Sequence, residues 1–285
     1  MNTHDTAPNE FVEAGGITYA YRRFGATKGV PLVFLQHLRG SMDYWDPAVT
    51  NGLAATRPVI LFDNAGVGLS SGSTPDTFDA LGDNAAKFIR VLGLRHVDVL
   101  GFSIGGHTAQ ALTLRHPELV RRLVIAGSKP RAGENEGTAP DVLEVAGRHD
   151  VSTLEDFLYM FFGPSAASQA AGRAFWERRH RRVVEPDAQT TRQTFEAQRT
   201  AIVECAAPRG EPLRELVSIT VPALVVNGSR DIMCPTINSY LMAQRIPYAQ
   251  LIIYPDSGHG SLFQYPRPFV AHVTEFLDRS EGDFT

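Results

Sequence analysis

Cysteine is scarce in this chain: among 285 residues there are only Cys205 and Cys234, and tryptophan occurs just twice. Two thiols cannot form a disulfide framework, so stability has to come from a packed interior. No Cys-x-x-Cys, His-x-His or helical His-x-x-x-His pattern appears, so metal binding is not expected. A Gly-x-x-x-x-Gly-Lys-Ser/Thr phosphate loop is missing too, and no cofactor is expected. Neither sign of charge dominates, with 27 Lys and Arg against 31 Asp and Glu. That balance provides no basic footprint for nucleic acid and no polybasic patch for a membrane surface. No apolar run reaches the roughly 18 residues that a bilayer span needs. The opening residues, Met1 to Glu10, lack a charged-then-apolar leader, so a reducing cytoplasm is the expected location.

What is present reads as an α/β protein. Hydrophobic residues make up 43% of the chain, an ordinary share for a globular protein. A length of 285 residues exceeds a typical domain of about 100–200, so a core with an inserted subdomain is expected. A hairpin is predicted over Phe11 to Phe24, turning at Gly15-Gly16. Short apolar strands follow at Pro31 to Gln36, Pro58 to Phe62, Val97 to Phe102 and Arg122 to Ala126, separated by helical patterns at Phe78 to Leu92 and Gly105 to Arg115. Such alternation predicts a mostly parallel central sheet covered by helices on both faces. The glycines of Asp63 to Ser70 do not keep the dinucleotide spacing, because the third falls one residue late at Gly72.

Within Val97 to Gly106, the run Val-Asp-Val-Leu-Gly-Phe-Ser-Ile-Gly-Gly drives a strand into Ser103 with a glycine two positions away on either side. This is the pattern of a sharp strand-to-helix turn that presents a serine hydroxyl, and the flanking glycines remove β-carbons that would collide there. A serine nucleophile needs a base, and the base needs an orienting carboxylate. Both follow in chain order. Asp231 lies just after the apolar run Pro222 to Asn227, and His259 sits between glycines after Gln250 to Tyr254. His107, His96 and His116 fall in or beside predicted helices and are poorer bases. Asp256 is too near His259 in sequence to reach the far side of its ring, and Asp98 lies within the elbow strand.

The elbow, the order Ser, Asp, His and the two loop placements resemble the α/β-hydrolase superfamily over nearly the whole chain. The resemblance implies Ser103 as nucleophile, His259 as general base and acid, and Asp231 as the carboxylate that holds the imidazole. It also implies two oxyanion donors: the N–H of Ile104, and one on the loop after Pro31 to Gln36. Superfamily members commonly carry His-Gly at that strand end, then x-x-Gly-Ser and an aromatic residue. Counted back from Gly40-Ser41 and Trp45, Gln36 takes the usual His position, His37 the usual Gly, and Leu38 supplies the N–H. His37 is a candidate substrate contact, and Arg39 a candidate carboxylate or carbonyl anchor.

From Lys129 to about Leu216 the strand signals stop. The division expected is a core of residues 1–130 and 216–285 with a helical cap at 131–215. Leu154 to Phe162 is apolar all round, which fits a helix packed on the core with one face lining an apolar cleft, and Phe157 and Phe161 are candidate substrate contacts. A second cap helix, Ser168 to Val183, carries Trp176, another candidate contact. Its cluster Arg178-Arg179-His180-Arg181-Arg182 is expected to be a solvated face, with Arg178 or Arg182 available to an acidic substrate.

The function expected is a cofactor-independent serine hydrolase that cleaves a small, largely apolar carboxylic ester or lactone through an acyl-enzyme. Its expected partner is that small molecule, with no nucleic acid and no membrane, and the sequence leaves the oligomeric state open. Carbon–carbon bond hydrolysis and cofactor-free perhydrolysis use a similar elbow and remain open. So does a small-ligand receptor built on the same fold.

Overall fold

The computed structural model describes residues 2–284 and places eight strands in one sheet: β1 (Glu10–Ala14), β2 (Ile17–Gly25), β3 (Leu32–Leu35), β4 (Pro58–Phe62), β5 (Val97–Phe102), β6 (Val120–Ala126), β7 (Ala223–Gly228) and β8 (Ala249–Tyr254). Their spatial order is β1-β2-β4-β3-β5-β6-β7-β8. β2 pairs antiparallel with β1 and β4, and every other pairing is parallel. The central strands are buried on both faces, and their side chains divide by alternation. Leu32 and Phe34 of β3, with Leu100 and Phe102 of β5, enter one core layer. Val33 and Leu35, with Val97 and Val99, enter the other.

Each layer is closed by helices. Val49 and Leu53 of α1 (Pro47–Ala54) and Phe269 and Val273 of α10 (Pro266–Asp278) cover the first. Phe88 and Ile89 of α2 (Phe78–Val91), Ala109 and Leu112 of α3 (Ile104–Arg115) and Met242 of α8 (Ile237–Arg245) cover the second. α1 starts where Asp46 caps the Ala48 N–H ahead of Pro47, a residue suited to the first helical turn. The short α9 (Ser261–Gln264) follows the loop after β8. Among the described residues no helix is long and apolar enough to cross a membrane.

Between β6 and β7 the chain forms only helices: α4 (Val142–Gly147), α5 (Leu154–Phe161), α6 (Ala166–Arg179) and α7 (Arg192–Cys205), with a single 3-10 turn at Arg214–Ser218. Arginines pin this insertion to the sheet. Arg22 of β2 is fully buried and pairs with Asp187 at 2.7 Å and with Asp43. Arg178 pairs with Asp46 at 2.6 Å, and Arg182 donates to the carbonyls of Asp5 and Ala7. The cluster expected to be solvated is therefore mostly structural. Arg178 and Arg182 are spent on core partners, and Arg179 is buried over the rings of Tyr44, Phe157 and Trp176 at 4.0, 4.5 and 4.5 Å. Sequence spacing shows the charges but not the carboxylate and carbonyls that the fold brings to them.

Candidate active site

β5 runs directly into Ser103, whose φ of 59° and ψ of −124° lie where residues with a side chain rarely go. The neighbouring glycines are needed for contact. A β-carbon at position 101 would lie 2.2 Å from the Gly105 carbonyl oxygen, and one at 105 would lie 2.0 Å from that of Leu35. The Ser103 N–H donates to the Ala126 carbonyl at 3.0 Å, which fastens the elbow to the end of β6.

Asp231 lies in the loop after β7. One carboxylate oxygen accepts the N–H groups of Met233 and Cys234 at 2.8 and 2.9 Å, and the other lies 2.8 Å from Nδ1 of His259. Both side chains are fully buried. A carboxylate only accepts, so Nδ1 of the neutral imidazole carries the proton and Nε2 keeps its lone pair. Nε2 has no partner among the described residues. The ring is held between Phe102 and Phe161, with centroids 5.0 and 5.3 Å away. α5 is fastened to this loop through the Gly260 N–H, which donates to the Phe161 carbonyl at 2.7 Å. A β-carbon at Gly127 would come within 3.3 Å of His259 Nδ1, and Ala126 already holds the Ser103 amide. Ser103 and His259 are thus gathered at one end of β6.

His96 is exposed ahead of β5, and the other rival side chains are occupied elsewhere. Asp256 accepts the Ser165 hydroxyl at 2.6 Å, Asp98 pairs with Arg121 at 2.6 Å, and His116 lies 2.8 Å from Asp83. His107 stacks on Phe78 at 4.6 Å, and burial pushes its pKa down to about 3.

On the loop after β3, the backbone donors around Leu38 are consumed. The His37 N–H donates to Gln36 Oε1, the Arg39 N–H to Gln198 Oε1, the Gly40 N–H to the His37 carbonyl and the Met42 N–H to Asp63 Oδ1. Gln36 also ties down the Ser41 carbonyl at 2.6 Å. Leu38 borders the same cavity as Ser103 and Ile104, so both expected oxyanion donors belong to residues at the serine. Gln198 and Thr190 of the insertion hold this loop at Arg39, a link between distant segments that no local motif announces.

Two spaces meet Ser103. One is a cavity of about 380 Å³ lined mainly by apolar groups, including Val142, Leu143, Ile202 and Met233. The other is a cleft of about 20 Å³ bordered by His37, Tyr44, Phe157 and Phe161. Three expected contacts, His37, Phe157 and Phe161, therefore meet at the serine. Trp176 borders neither space and packs on Phe157 at 5.5 Å. Arg39 touches the cleft, but its guanidinium donates to the carbonyls of Ala146, His149 and Asp150, which makes it a clamp for the end of α4. Tyr44 and Met233 were not flagged by the sequence. Met233 carried one usable signal, its place two residues after the acid.

Among the described residues, Asp231, Cys234 and His259 alone bring potential metal-ligating atoms together, all within 4.8 Å of one another. They make a poor site. Asp231 and His259 are spent on each other, and burial, reinforced by Asp231, holds the Cys234 thiol well above its ordinary range and so protonated.

Comparison with known proteins agrees with this architecture. The family profile described as alpha/beta hydrolase fold matches residues 30–266. An alpha/beta hydrolase fold protein from Chitinophaga pinensis is 42% identical, with a TM-score of 0.92, over 98% of this chain and 100% of that one. The structure of Est816, titled as an N-acyl homoserine lactone degrading enzyme, is 25% identical with a TM-score of 0.74, over 94% and 100%. A pimeloyl-acyl-carrier-protein methyl ester esterase of Nitrosomonas europaea is 28% identical, covering 85% of this chain and 94% of that one.

Proposed function

The chain belongs to the alpha/beta hydrolase fold family and is a hydrolase, and we propose that it cleaves a small, largely apolar carboxylic ester or lactone through an acyl-enzyme on Ser103. The observation that carries this reading is the 2.8 Å bond from His259 Nδ1 to Asp231, which leaves the other imidazole nitrogen as a base beside the end of β6, to which the Ser103 N–H is bonded. His259 Nε2 takes the hydroxyl proton as Ser103 Oγ attacks the carbonyl carbon. The oxyanion that forms is stabilised by the N–H groups of Leu38 and Ile104. The imidazolium, held by Asp231, returns the proton to the leaving alcohol, and water repeats the cycle on the acyl group. The unpartnered state of Nε2 is compatible with this path, because catalytic hydrogen bonds tighten when substrate arrives.

The mostly apolar cavity beside Ser103 supports the substrate class, and relatives named as a lactone degrading enzyme and a methyl ester esterase support the bond type. A panel of short acyl esters, lactones, vinylogous diketones, and peroxide with acetate tests it. Turnover of esters or lactones, lost by about three orders of magnitude or more in Ser103→Ala, is the expected result. Breakdown of diketones alone would give the carbon–carbon reading instead. Stabilisation by a ligand without product release would give a receptor.

A further inference from the structure

We propose that Nε2 of His37 is an acceptor for a hydrogen-bond donor on the substrate, so that the enzyme selects esters or lactones bearing a hydroxyl or N–H close to the scissile carbonyl. The proposal rests on the reading of Ser103 as nucleophile and names the substrate class for that same site. His37 Nδ1 lies 2.8 Å from the Leu38 carbonyl oxygen. A carbonyl cannot donate, so Nδ1 carries the proton and Nε2, at the opposite edge of the ring, carries a lone pair. The side chain is buried at 3% exposure. Burial brings its pKa down to about 3, so the ring is neutral at physiological pH.

The imidazole is packed among aromatic rings. Rings of Tyr44, Phe102, Phe157 and Phe161 meet the imidazole edge-on, at centroid distances of 5.7, 5.6, 6.0 and 5.2 Å. No donor among the described residues reaches Nε2, and the nearby guanidinium of Arg179 makes no hydrogen bond to it. A buried acceptor without a donor is costly, and aromatic rings offer no compensation. The cleft shared by His37 and Ser103 holds about 20 Å³, roughly the space of one water-sized group. On this proposal a hydroxyl or N–H fills that space and satisfies the lone pair, whereas a methyl fills it but leaves the lone pair unpaired. The bulk of the substrate then occupies the 380 Å³ cavity that also borders the serine.

The test uses phenyl esters in pairs that differ by hydroxyl against methyl at the second, third or fourth acyl carbon, with wild type and His37→Phe. The expected result is a preference for one hydroxy ester of roughly 10- to 100-fold in kcat/KM, falling to within about twofold in His37→Phe. Equal rates for every pair in wild type, or a preference that survives in His37→Phe, would overturn the proposal. Calorimetric binding of the matching non-hydrolysable methyl ketones gives a second readout that needs no turnover. If no ester is cleaved, the ester reading of the Ser103 site fails on the first assay while the ketone pairs still decide the role of His37. Equal ketone affinities, as expected if water alone satisfies Nε2, overturn it. Should His37→Phe not fold, His37→Leu serves as the second variant.

Discussion

In the mechanism proposed, Ser103, Asp231 and His259 divide one proton transfer among three stretches of chain, and each has a distinct expected loss. Asp231→Asn keeps the shape but offers Nδ1 an amide that can donate, which favours the wrong imidazole tautomer. We expect kcat to fall by about three to four orders of magnitude with little change in KM, measured on the best ester of the panel. A drop below tenfold would show that Asp231 does not orient the base. The order and loop positions of these three residues were legible because each lies just after a short apolar run. The orientation of His37 was not, because whether a loop side chain turns into a site depends on neighbours such as Phe157 and Phe161, more than a hundred positions away. The contacts of Arg39 were hidden for the same reason. Its carbonyl partners at 146, 149 and 150 exist only once α4 has docked.

At the scale of elements, the insertion holds the loop that carries Leu38 and closes over His259. Gln198 and Thr190 bond to Arg39, while α5 receives the Gly260 N–H. If Arg39 is a clamp, Arg39→Met lowers stability by about 2 kcal/mol or more and reduces kcat/KM for acidic and neutral esters alike. A rise in KM confined to acidic esters, with the urea midpoint unchanged, would make it an anchor instead. Asp63 acts on the same loop from the core, accepting the Met42 and Leu69 N–H groups while fully shielded from solvent. Asp63→Ala strands both donors and is expected to cost about 1–3 kcal/mol in urea unfolding. Strands and the helices α2, α3 and α5 were readable from periodicity to within a few residues. The bonds between insertion and core were not, since they join segments that have no pattern in common.

Over the whole molecule, three histidines besides His259 are, among the described residues, buried and neutral. Burial, aided by nearby cations, lowers His4, His37 and His107 to about 3. Their unfolded value is 6.5, so below that pH the unfolded chain takes up protons that the native fold refuses. Stability is present in full above 6.5 and is lost as the pH falls toward 3. Asp63, Asp98 and Asp187, raised by burial, act in the opposite sense and moderate the slope. Urea unfolding at pH 7, 6 and 5 should show declining stability, with the slope reduced by about 1 kcal/mol per pH unit on average in His107→Gln. An unchanged slope would mean that His107 is protonated in the native state.

The most direct measurement is mass-spectrometric mapping of the site modified by a fluorophosphonate in the native protein. One adduct is expected, on Ser103, absent from Ser103→Ala and formed far more slowly in His259→Ala. A protein that hydrolyses esters while Ser103 stays unmodified, or that is labelled equally fast without His259, would contradict the assignment of the serine and its base.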